Sequence, residues 1–372
     1  SYYNTQTGKY ALAELQERFG EGVLPAIEII DTKLVAGKYK NKVMISPQLK
    51  EAIEKTIAEK KQVILFQNRR GYSPYIICSV CGWIPQCSNC DVTLTYHKAK
   101  NKLACHYCGA TYPVINTCGA CGSHQFMQKN FGTEKIEELL AEEFPAARIA
   151  RMDYDSVKGK HDHDNLIKLF EQQRIDMLVG TQMVTKGLDF DHVKLVGILD
   201  ADGLLSFADF RVNERAYQLM EQVSGRAGRK DDTGKVMIQV SNTKHPILQL
   251  LQAHDYKSLY HAELDARKPF FYPPFSRLIK ITFKHKDSLI AEEASNIMAQ
   301  ALRKNFANNI VGPAQPVVSR IRNQYLFELL IKLPKDAATI YNCKTETEKQ
   351  VAIVQSSKRY RSVSIVIDVD PV

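Results

Sequence analysis

The stretch CSVCGWIPQCSNC, residues 78–90, holds two C-x-x-C pairs, and two more pairs follow at Cys105/Cys108 and Cys118/Cys121. Eight of the nine cysteines in the chain belong to these four pairs. A two-residue spacer lets both thiolates of a turn reach one metal ion at about 2.3 Å, and four thiolates complete a tetrahedral structural zinc site. The cysteine count and spacing therefore predict two zinc sites and an insertion that is built around metal.

The spacing between pairs favours a nested grouping. The 14 residues between Cys90 and Cys105 form a hairpin-sized gap of the zinc-ribbon kind. We therefore expect an inner site made of Cys87, Cys90, Cys105 and Cys108. The remaining pairs then form an outer site made of Cys78, Cys81, Cys118 and Cys121. Sequential pairing is the alternative, but five residues between the first two pairs leave little chain for two turns to face each other.

Two other interpretations of the cysteines stay open at this point. Disulfides would need an oxidising compartment, whereas no apolar signal segment opens the chain and Cys343 would have no partner. A reducing cytosol with zinc thiolates fits better. Nearby histidines could also replace a cysteine ligand: His97, His106 and His124.

Composition limits the class of protein. A chain of 372 residues is long enough for two or three domains of roughly 100 to 200 residues each. The net charge of +9 favours a nucleic-acid partner on electrostatic grounds. No run approaches the roughly 18 apolar residues that a membrane helix needs, so we expect a soluble protein with no membrane partner.

The flanking sequence predicts an α/β domain that the cysteines interrupt. Ser46 followed by Pro47 is typical of a helix start, and the continuous apolar run at 63–66 is typical of a buried parallel strand. Further strands are predicted at 147–152, 177–179, 195–199 and 236–240, with helices near 136–140, 166–170 and 216–223. Alternating strands and helices predict a doubly wound parallel sheet.

Beyond residue 250 the pattern changes. A proline-rich turn at 270–275 precedes alternating apolar residues at 279–283, 327–333 and 363–369, with helices predicted at 290–301 and between Asp336 and Lys358. With a further strand near Val317 the order is βαββαβ, which favours a ferredoxin-like α+β domain. The predicted domains are an α/β lobe over 1–250, a zinc insertion over 76–128 within it, and a C-terminal domain over 251–372.

One segment carries two arginines that could bind polyphosphate. Arg226 and Arg229 lie three residues apart in QVSGRAGR, residues 222–229. Permanently charged, planar guanidinium groups suit polyphosphate, although an exposed basic turn is the alternative. Residues 179–182 end a strand upstream. Because open α/β sheets bind ligands at the carboxyl ends of their strands, we expect both segments to lie at that same edge.

These segments resemble a known family. The sequences NRRGY (68–72), GTQM (180–183) with KGLDF (186–190), and QVSGRAGR (222–229) resemble motifs IV, V and VI of superfamily 2 helicases, which belong to the second RecA-like lobe. The cysteine insertion, the turn YPPFSRL at 272–278 and the closing VDP at 369–371 make the resemblance specific to the replication-restart primosomal helicases. The similarity covers essentially the whole chain.

The resemblance implies site residues. Arg229 would be the arginine finger and Arg226 a second contact to the γ-phosphate. The other nucleotide-binding residues would be Gln222, Gly187 and Asp189. DNA would be bound by Thr181, Gln182, Arg69, Arg70 and Tyr72, although arginines after a core strand can also be ordinary surface groups.

The resemblance also implies partners and a missing part. No segment fits the P-loop pattern or D-E-x-H, so we expect this chain to be the second half of a longer protein and inactive as an ATPase alone. The whole protein would be an ATP- and Mg²⁺-dependent 3′ to 5′ DNA helicase, a monomer in the nucleoid-associated bacterial cytoplasm, that binds forked and single-stranded DNA, single-strand DNA-binding protein and primosome proteins.

Alternative functions and a further surface stay open. A non-catalytic zinc-ribbon adaptor and an RNA translocase are alternative functions. Lys98, Lys100 and Lys102, beside Tyr96 and His97, could follow a nucleic-acid backbone and stack on bases. Trp83 could join them or could pack inside the insertion.

Overall fold

The computed structural model describes residues 2–14, 24–33, 44–68, 75–97, 101–129, 133–153, 156–157, 159–185, 190–206, 209–228 and 234–371. The chain divides into two compact units, Ser1–Ser73 with Asn130–Glu263, and Pro74–Lys129 with Leu264–Val372. The sequence predicts the boundary between the α/β lobe and the C-terminal domain at residue 250, whereas the structure divides the units after Glu263. The cysteine-rich segment therefore groups with the C-terminal residues, although it interrupts the chain of the first unit.

The first unit is built on a six-stranded parallel sheet. Its strands are β1 (Ala26–Asp31), β2 (Gln62–Gln67), β8 (Ile149–Met152), β9 (Met177–Gly180), β10 (Val193–Leu199) and β11 (Lys235–Val240), numbered along the whole chain, in the spatial order β1-β11-β10-β2-β9-β8. Every neighbouring pair is parallel. The predicted α/β sheet is confirmed, and the edge strand β1 is an element that the sequence pattern did not reveal.

Helices cover both faces of this sheet. The helices of this part of the chain are α1 (Tyr2–Gln6), α2 (Pro47–Ala58), α3 (Thr133–Glu143), α4 (Lys160–Glu171), α5 (Asp202–Leu205), α6 (Val212–Ser224), α7 (Pro246–Gln252) and α8 (Tyr256–Arg267). In β2, Val63 and Leu65 pack with residues of α2 and α3, whereas Ile64 and Phe66 pack with residues of α4 and α6. Burial on both faces explains why this strand is a continuous apolar run rather than an alternating one.

The start of α2 follows the predicted capping pattern. The Ser46 hydroxyl accepts a hydrogen bond from the Leu49 N–H at 3.2 Å, and Pro47 occupies the first turn. A proline loses nothing there, because its N–H would have had no partner within the helix. Leu49 and Ile53 are buried on the face of α2 that packs on the sheet.

The C-terminal part of the second unit is a ferredoxin-like domain. Its elements are β12 (Arg277–His285), α9 (Ser288–Phe306), β13 (Ile310–Ala314), β14 (Arg320–Ile321), β15 (Gln324–Leu333), α10 (Ala337–Ser356) and β16 (Ser364–Val369). The antiparallel sheet has the order β13-β15-β12-β16, with β14 paired to β15. The predicted βαββαβ order is confirmed. The predicted position of one strand, near Val317, is wrong. Val317 is 92% exposed, and the strand lies earlier, at β13.

The rest of the second unit is made of short strands around the cysteines. A two-stranded antiparallel ladder joins β3 (Tyr75–Cys78) to β7 (Phe126–Lys129), and β4 (Thr95–His97), β5 (Lys102–Ala104) and β6 (Thr111–Pro113) form a three-stranded sheet. We call residues 75–129 the zinc module. Its buried cluster is small and includes Cys87, Cys90 and Cys105 together with Leu94 and Leu103. So small a core needs a metal or another staple to be stable.

Candidate metal centres and the arginine turn

The structure brings the eight paired cysteines together as two separate groups of four. One group is Cys78, Cys81, Cys118 and Cys121, the other is Cys87, Cys90, Cys105 and Cys108, and the Sγ atoms within each group lie within 4.8 Å of one another. This grouping is the nested one.

The thiol spacing suits zinc. Sγ atoms are 3.7 Å apart in Cys78/Cys121, 3.6 Å apart in Cys81/Cys118 and 3.6 Å apart in Cys87/Cys108. A tetrahedron with Zn–S bonds of about 2.3 Å has S···S edges of about 3.8 Å. The donors and their spacing therefore fit a tetrathiolate zinc in each group, whereas a disulfide would require S–S contacts near 2.0 Å.

Backbone amides prepare several of these sulfurs to carry charge. The N–H of Cys81 lowers the pKa of Cys78 to about 6, and the N–H of Ala110 lowers the pKa of Cys108 to about 7. The N–H of Ala120 also donates to Cys118 Sγ, at 3.4 Å. Since the thiolate is the form that binds metal, N–H donors directed at sulfur favour the ligand state.

Three of the four cysteine turns share one design. A glycine follows the second cysteine at Gly82, Gly109 and Gly122, with φ of 77°, 79° and 72°. Each glycine N–H donates to the carbonyl of the first cysteine of its pair, at 3.0, 2.9 and 3.0 Å. Positive φ is inexpensive only for glycine, so these glycines close the turns. The fourth pair is followed by Asp91, and its N–H donates instead to the carbonyl of Arg320 at 3.0 Å.

The remaining candidates around the cysteines have other contacts. Among the described residues no histidine joins either sulfur cluster: the rings of His97 and His106 stack edge to face at 5.2 Å, and His124 Nδ1 lies 2.8 Å from the Asn116 carbonyl oxygen. Trp83 lies against Gly119, where an added Cβ would be 3.1 Å from the indole. This contact favours a packing role for Trp83. Lys98 and Lys100 lie outside the described residues, and Lys102 is half-buried in β5.

We call residues 225–229, which follow α6, the arginine turn. Arg226 is only 8% exposed, and the N–H of Gly228 donates to the carbonyl of Val193 at 3.0 Å. Val193 is the first residue of β10. On the other side, an added Cβ at Gly234 would be 2.5 Å from the Ala227 backbone. These two close contacts fix the turn at the amino edge of the sheet.

Thr181 and Gln182 lie at the opposite edge. They follow the carboxyl end of β9, where Gly180 is level with Phe66 near the end of β2, and Gln182 begins a 3₁₀ turn, Gln182–Thr185. The expectation that this segment and the arginine turn share the carboxyl edge is therefore wrong. The reason is that α6 begins beyond the carboxyl end of β10 and returns the chain to the start of that strand.

Gly180 sets the position of Thr181. A Cβ on Gly180 would be 2.3 Å from Val184 Cγ1 and 2.7 Å from the Met152 carbonyl oxygen. Only glycine permits this approach of β9, Met152 and the 3₁₀ turn. The Thr181 N–H donates to that same carbonyl at 3.3 Å, and Thr181 is buried.

Several sequence-based candidates lie outside the described residues. They are Arg69, Arg70, Tyr72, Gly187, Asp189 and Arg229. Their roles stay predictions. Gln222 is described and is exposed on α6.

A cavity beside Gln222 was not predicted. It measures about 410 Å³ and is lined by Tyr217, Gln218, Glu221, Gln222, His254 and Tyr256. Glu221 Oε1 lies 2.9 Å from His254 Nδ1. No sequence signal marked it, because His254 and Tyr256 come from the α7–α8 junction, 33 or more residues beyond Glu221.

Within the described part of the chain, none of the helices combines the length and the apolar character that crossing a bilayer requires.

Comparison with protein families accounts for the three parts of the chain. Residues 124–231 match the helicase conserved C-terminal domain, residues 87–113 match the PriA DNA helicase Cys-rich region domain, and residues 268–372 match the primosomal protein N C-terminal domain. The fold and the thiol sites therefore define a helicase C-terminal lobe with a cysteine-rich region whose two clusters support zinc binding.

Curated relatives match along the chain. The replication restart protein PriA of Bacillus subtilis (strain 168) is 37% identical over 379 residues, covering 100% of this chain and 46% of the relative. PriA of Haemophilus influenzae is 35% identical over 375 residues, covering 100% and 50%. Along its whole length the chain is therefore similar to PriA proteins, and it carries matches to their cysteine-rich and C-terminal domains. It spans about half the length of the curated relatives it matches.

Proposed function

We propose that this chain supplies the second motor lobe and the C-terminal domain of an ATP-dependent 3′ to 5′ DNA helicase that binds replication forks and restarts replication through primosome assembly. The observation that carries the proposal is the presence, in one chain, of a helicase C-terminal domain, a PriA cysteine-rich region and a primosomal C-terminal domain. The curated relatives are named for replication restart.

The arginine turn supplies the catalytic part of the proposal. In phosphoryl transfer, an arginine that contacts the transferring phosphate neutralises developing charge and can be worth about 10³ to 10⁵ in rate. We assign this role to Arg229 and Arg226, with Gln222, Gly187 and Asp189 contacting a nucleotide that a preceding lobe holds with Mg²⁺. Arg226 is buried, which does not fit an exposed basic turn and so favours the motor over the adaptor.

Strand contacts are assigned to other residues. Thr181 and Gln182 would bind backbone phosphates of the tracking strand, and Arg69, Arg70 and Tyr72 would continue this path. Single-strand DNA-binding protein and primosome proteins are the proposed protein partners, and the working form is a monomer in the bacterial cytoplasm at the nucleoid.

The zinc module is assigned the binding of two zinc ions. All eight thiolates would be zinc ligands, four for each of two ions, and zinc supplies structural cross-links there. The chain's own amides orient and stabilise the thiolates, as described for Cys78, Cys108 and Cys118.

The test uses ATP hydrolysis stimulated by forked DNA. The 372-residue chain alone is expected to hydrolyse no ATP, with or without DNA. In the full-length protein, Arg226→Ala and Arg229→Ala should each lower kcat by about 10³-fold or more while fork affinity stays within a few-fold.

A matched control is Arg215→Ala on α6, the helix that precedes the arginine turn, because Arg215 is exposed and pairs only with Asp209 among the described contacts. It should leave kcat unchanged. Equal loss of fork binding and of hydrolysis in the Arg226 and Arg229 variants would contradict the motor assignment and favour the adaptor.

A further inference from the structure

The fourth cysteine turn is completed by a different part of the chain. In the turn Cys87–Cys90 no glycine closes the backbone, and Asp91 follows directly. The hairpin of β14 and β15, residues 319–325, lies against this turn. The hairpin is far from the turn in the sequence, since Asp91 and Arg320 are 229 residues apart.

The hairpin contacts the turn through its backbone. The N–H of Arg322 donates to Cys90 Sγ at 3.2 Å, and the N–H of Asn323 donates to the Asn89 carbonyl at 2.8 Å. The Asp91 N–H donates in return to the Arg320 carbonyl at 3.0 Å. One of these bonds ends on a sulfur of the inner cluster itself.

Side chains reinforce the contact. The Asp91 carboxylate accepts from Arg320 Nε at 2.9 Å and from Ser319 Oγ at 2.8 Å. The side chain of Ile321 packs against the cluster that contains Cys87 and Cys90. The contact therefore combines a charged pair, backbone bonds and an apolar anchor.

The turn of the hairpin is shaped for this approach. Arg322 and Asn323 have φ of 52° and 58°, the left-handed conformation that both central residues of a tight hairpin turn adopt. This conformation presents two successive N–H groups to Asn89 and Cys90.

We propose that the inner zinc site is a joint between the zinc module and the ferredoxin-like domain, and that its metal occupancy determines whether the 319–325 hairpin is docked. Hydrogen bonds from outside the ligand set orient metal ligands, and their loss usually costs 10- to 100-fold in metal affinity. Here the outside partner is the hairpin, so ligand geometry and docking stabilise each other. The outer site has no such contact among the described residues.

Zinc binding at the inner site and docking of the hairpin are thermodynamically linked. If the docked hairpin raises zinc affinity at the inner site by some factor, zinc must favour docking by the same factor. The zinc module and the ferredoxin-like domain then behave as one body with the inner site loaded, and separate when it is empty. This inference concerns zinc binding and does not depend on the helicase assignment.

The first experiment measures zinc affinity at each site of the 372-residue chain by competition with a chromophoric chelator. Asp91→Ala removes the acceptor for Arg320 and Ser319. Asn323→Gly removes only the side-chain bond from Asn323 Nδ2 to Asn89 Oδ1, 3.2 Å long, and keeps the backbone N–H and a residue that accepts positive φ. Asp91→Ala should weaken one of the two sites by 10- to 100-fold, and Asn323→Gly should weaken the same site by less. Arg359→Ala is the matched control. It breaks a bidentate ion pair between Arg359 and Glu293 in the ferredoxin-like domain, and neither residue contacts the zinc-module cysteines among the described contacts.

The second experiment reads docking directly by hydrogen exchange at residues 319–325. Cys105→Ser, which disables the inner site, should raise exchange of the hairpin 10-fold or more, whereas Cys118→Ser in the outer site should leave it unchanged. Equal effects of the two cysteine variants, or no effect of Asp91→Ala on either zinc affinity, would overturn the proposal. Arg359→Ala must leave both zinc affinities unchanged for the joint to be specific.

Discussion

The side-chain amide of Gln239 holds the chain at Ser46. Gln239 Oε1 accepts a hydrogen bond from the Ser46 N–H at 2.6 Å, and Gln239 Nε2 donates to the Met44 carbonyl at 2.8 Å. Gln239 is buried in β11. One amide from the sheet thus satisfies two backbone groups immediately before α2 begins.

Removing this amide should destabilise the parallel-sheet unit. In Gln239→Ala the Ser46 N–H and the Met44 carbonyl lose their partner, and a buried polar group left unsatisfied costs about 1–3 kcal/mol. Urea unfolding of the chain, followed by a probe in the first unit, measures the change. Gln218→Ala, on the exposed face of α6, should change the free energy of unfolding by less than about 0.5 kcal/mol, and an equal effect of both variants would contradict the role given to Gln239.

A methyl group at Gly180 should disturb the strand end that carries Thr181. Because one of the contacts at Gly180 is backbone, at 2.7 Å, Gly180→Ala must move β9 or Met152, and overpacking of this kind costs about 1–3 kcal/mol. Chemical denaturation gives the cost, and amide chemical shifts of 177–185 locate it. Gly159→Ala, where nothing lies within 4 Å of an added Cβ, should be tolerated, so similar losses in both variants would refute the steric explanation.

Metal removal should unfold the zinc module before the parallel sheet. A tetrathiolate zinc carries about 10–16 kcal/mol of apparent binding free energy in zinc-finger peptides, and the buried cluster of the module is small. Excess strong chelator should abolish hydrogen-exchange protection in 75–97 and 101–129 while β2, β9 and β10 keep theirs. Chelator already saturated with zinc is the control. Simultaneous loss of protection in the sheet would contradict an independent, metal-built insertion.

The ion pair of Arg148 and Asp176 should make stability depend on pH. Asp176 accepts from Arg148 Nε at 2.9 Å and from the Arg148 backbone N–H at 2.8 Å, and these bonds lower the pKa of Asp176. Because the folded pKa lies below the unfolded value of about 3.9, the stabilisation is complete above that value and is lost as pH falls through the folded pKa.

Asp176→Asn should therefore cost about 0.5–1 kcal/mol at pH 7, a modest amount because Arg148 is largely exposed. The difference from the natural chain should shrink below pH 4. Unfolding free energies across pH 3–7 test this, with Asp265→Asn, an exposed carboxylate on α8, as the control. A difference that stays constant with pH would disprove the electrostatic origin.

Local patterns in the sequence were enough to predict the main strands and helices of the first unit and to favour the grouping of the thiols. The apolar run at 63–66 identified a strand buried on both faces, and Ser46 with Pro47 identified the start of α2. The 14-residue gap between Cys90 and Cys105 was enough to favour the nested clusters, because a hairpin of that length brings its two ends together. Strand β1 was not predicted, although AIEIID alternates as a half-buried edge strand does.

The amino-acid sequence by itself predicted the main strands and helices of the parallel sheet, because these depend on near neighbours in the chain. It also favoured the nested grouping of the thiols, because only a hairpin-sized gap separates Cys90 from Cys105. Only the tertiary structure decided that the arginine turn lies at the amino edge of the sheet and that the 319–325 hairpin reaches Cys90. Both depend on where a helix or hairpin returns after a long connection. That outcome is set by packing over the whole unit, which no local pattern encodes.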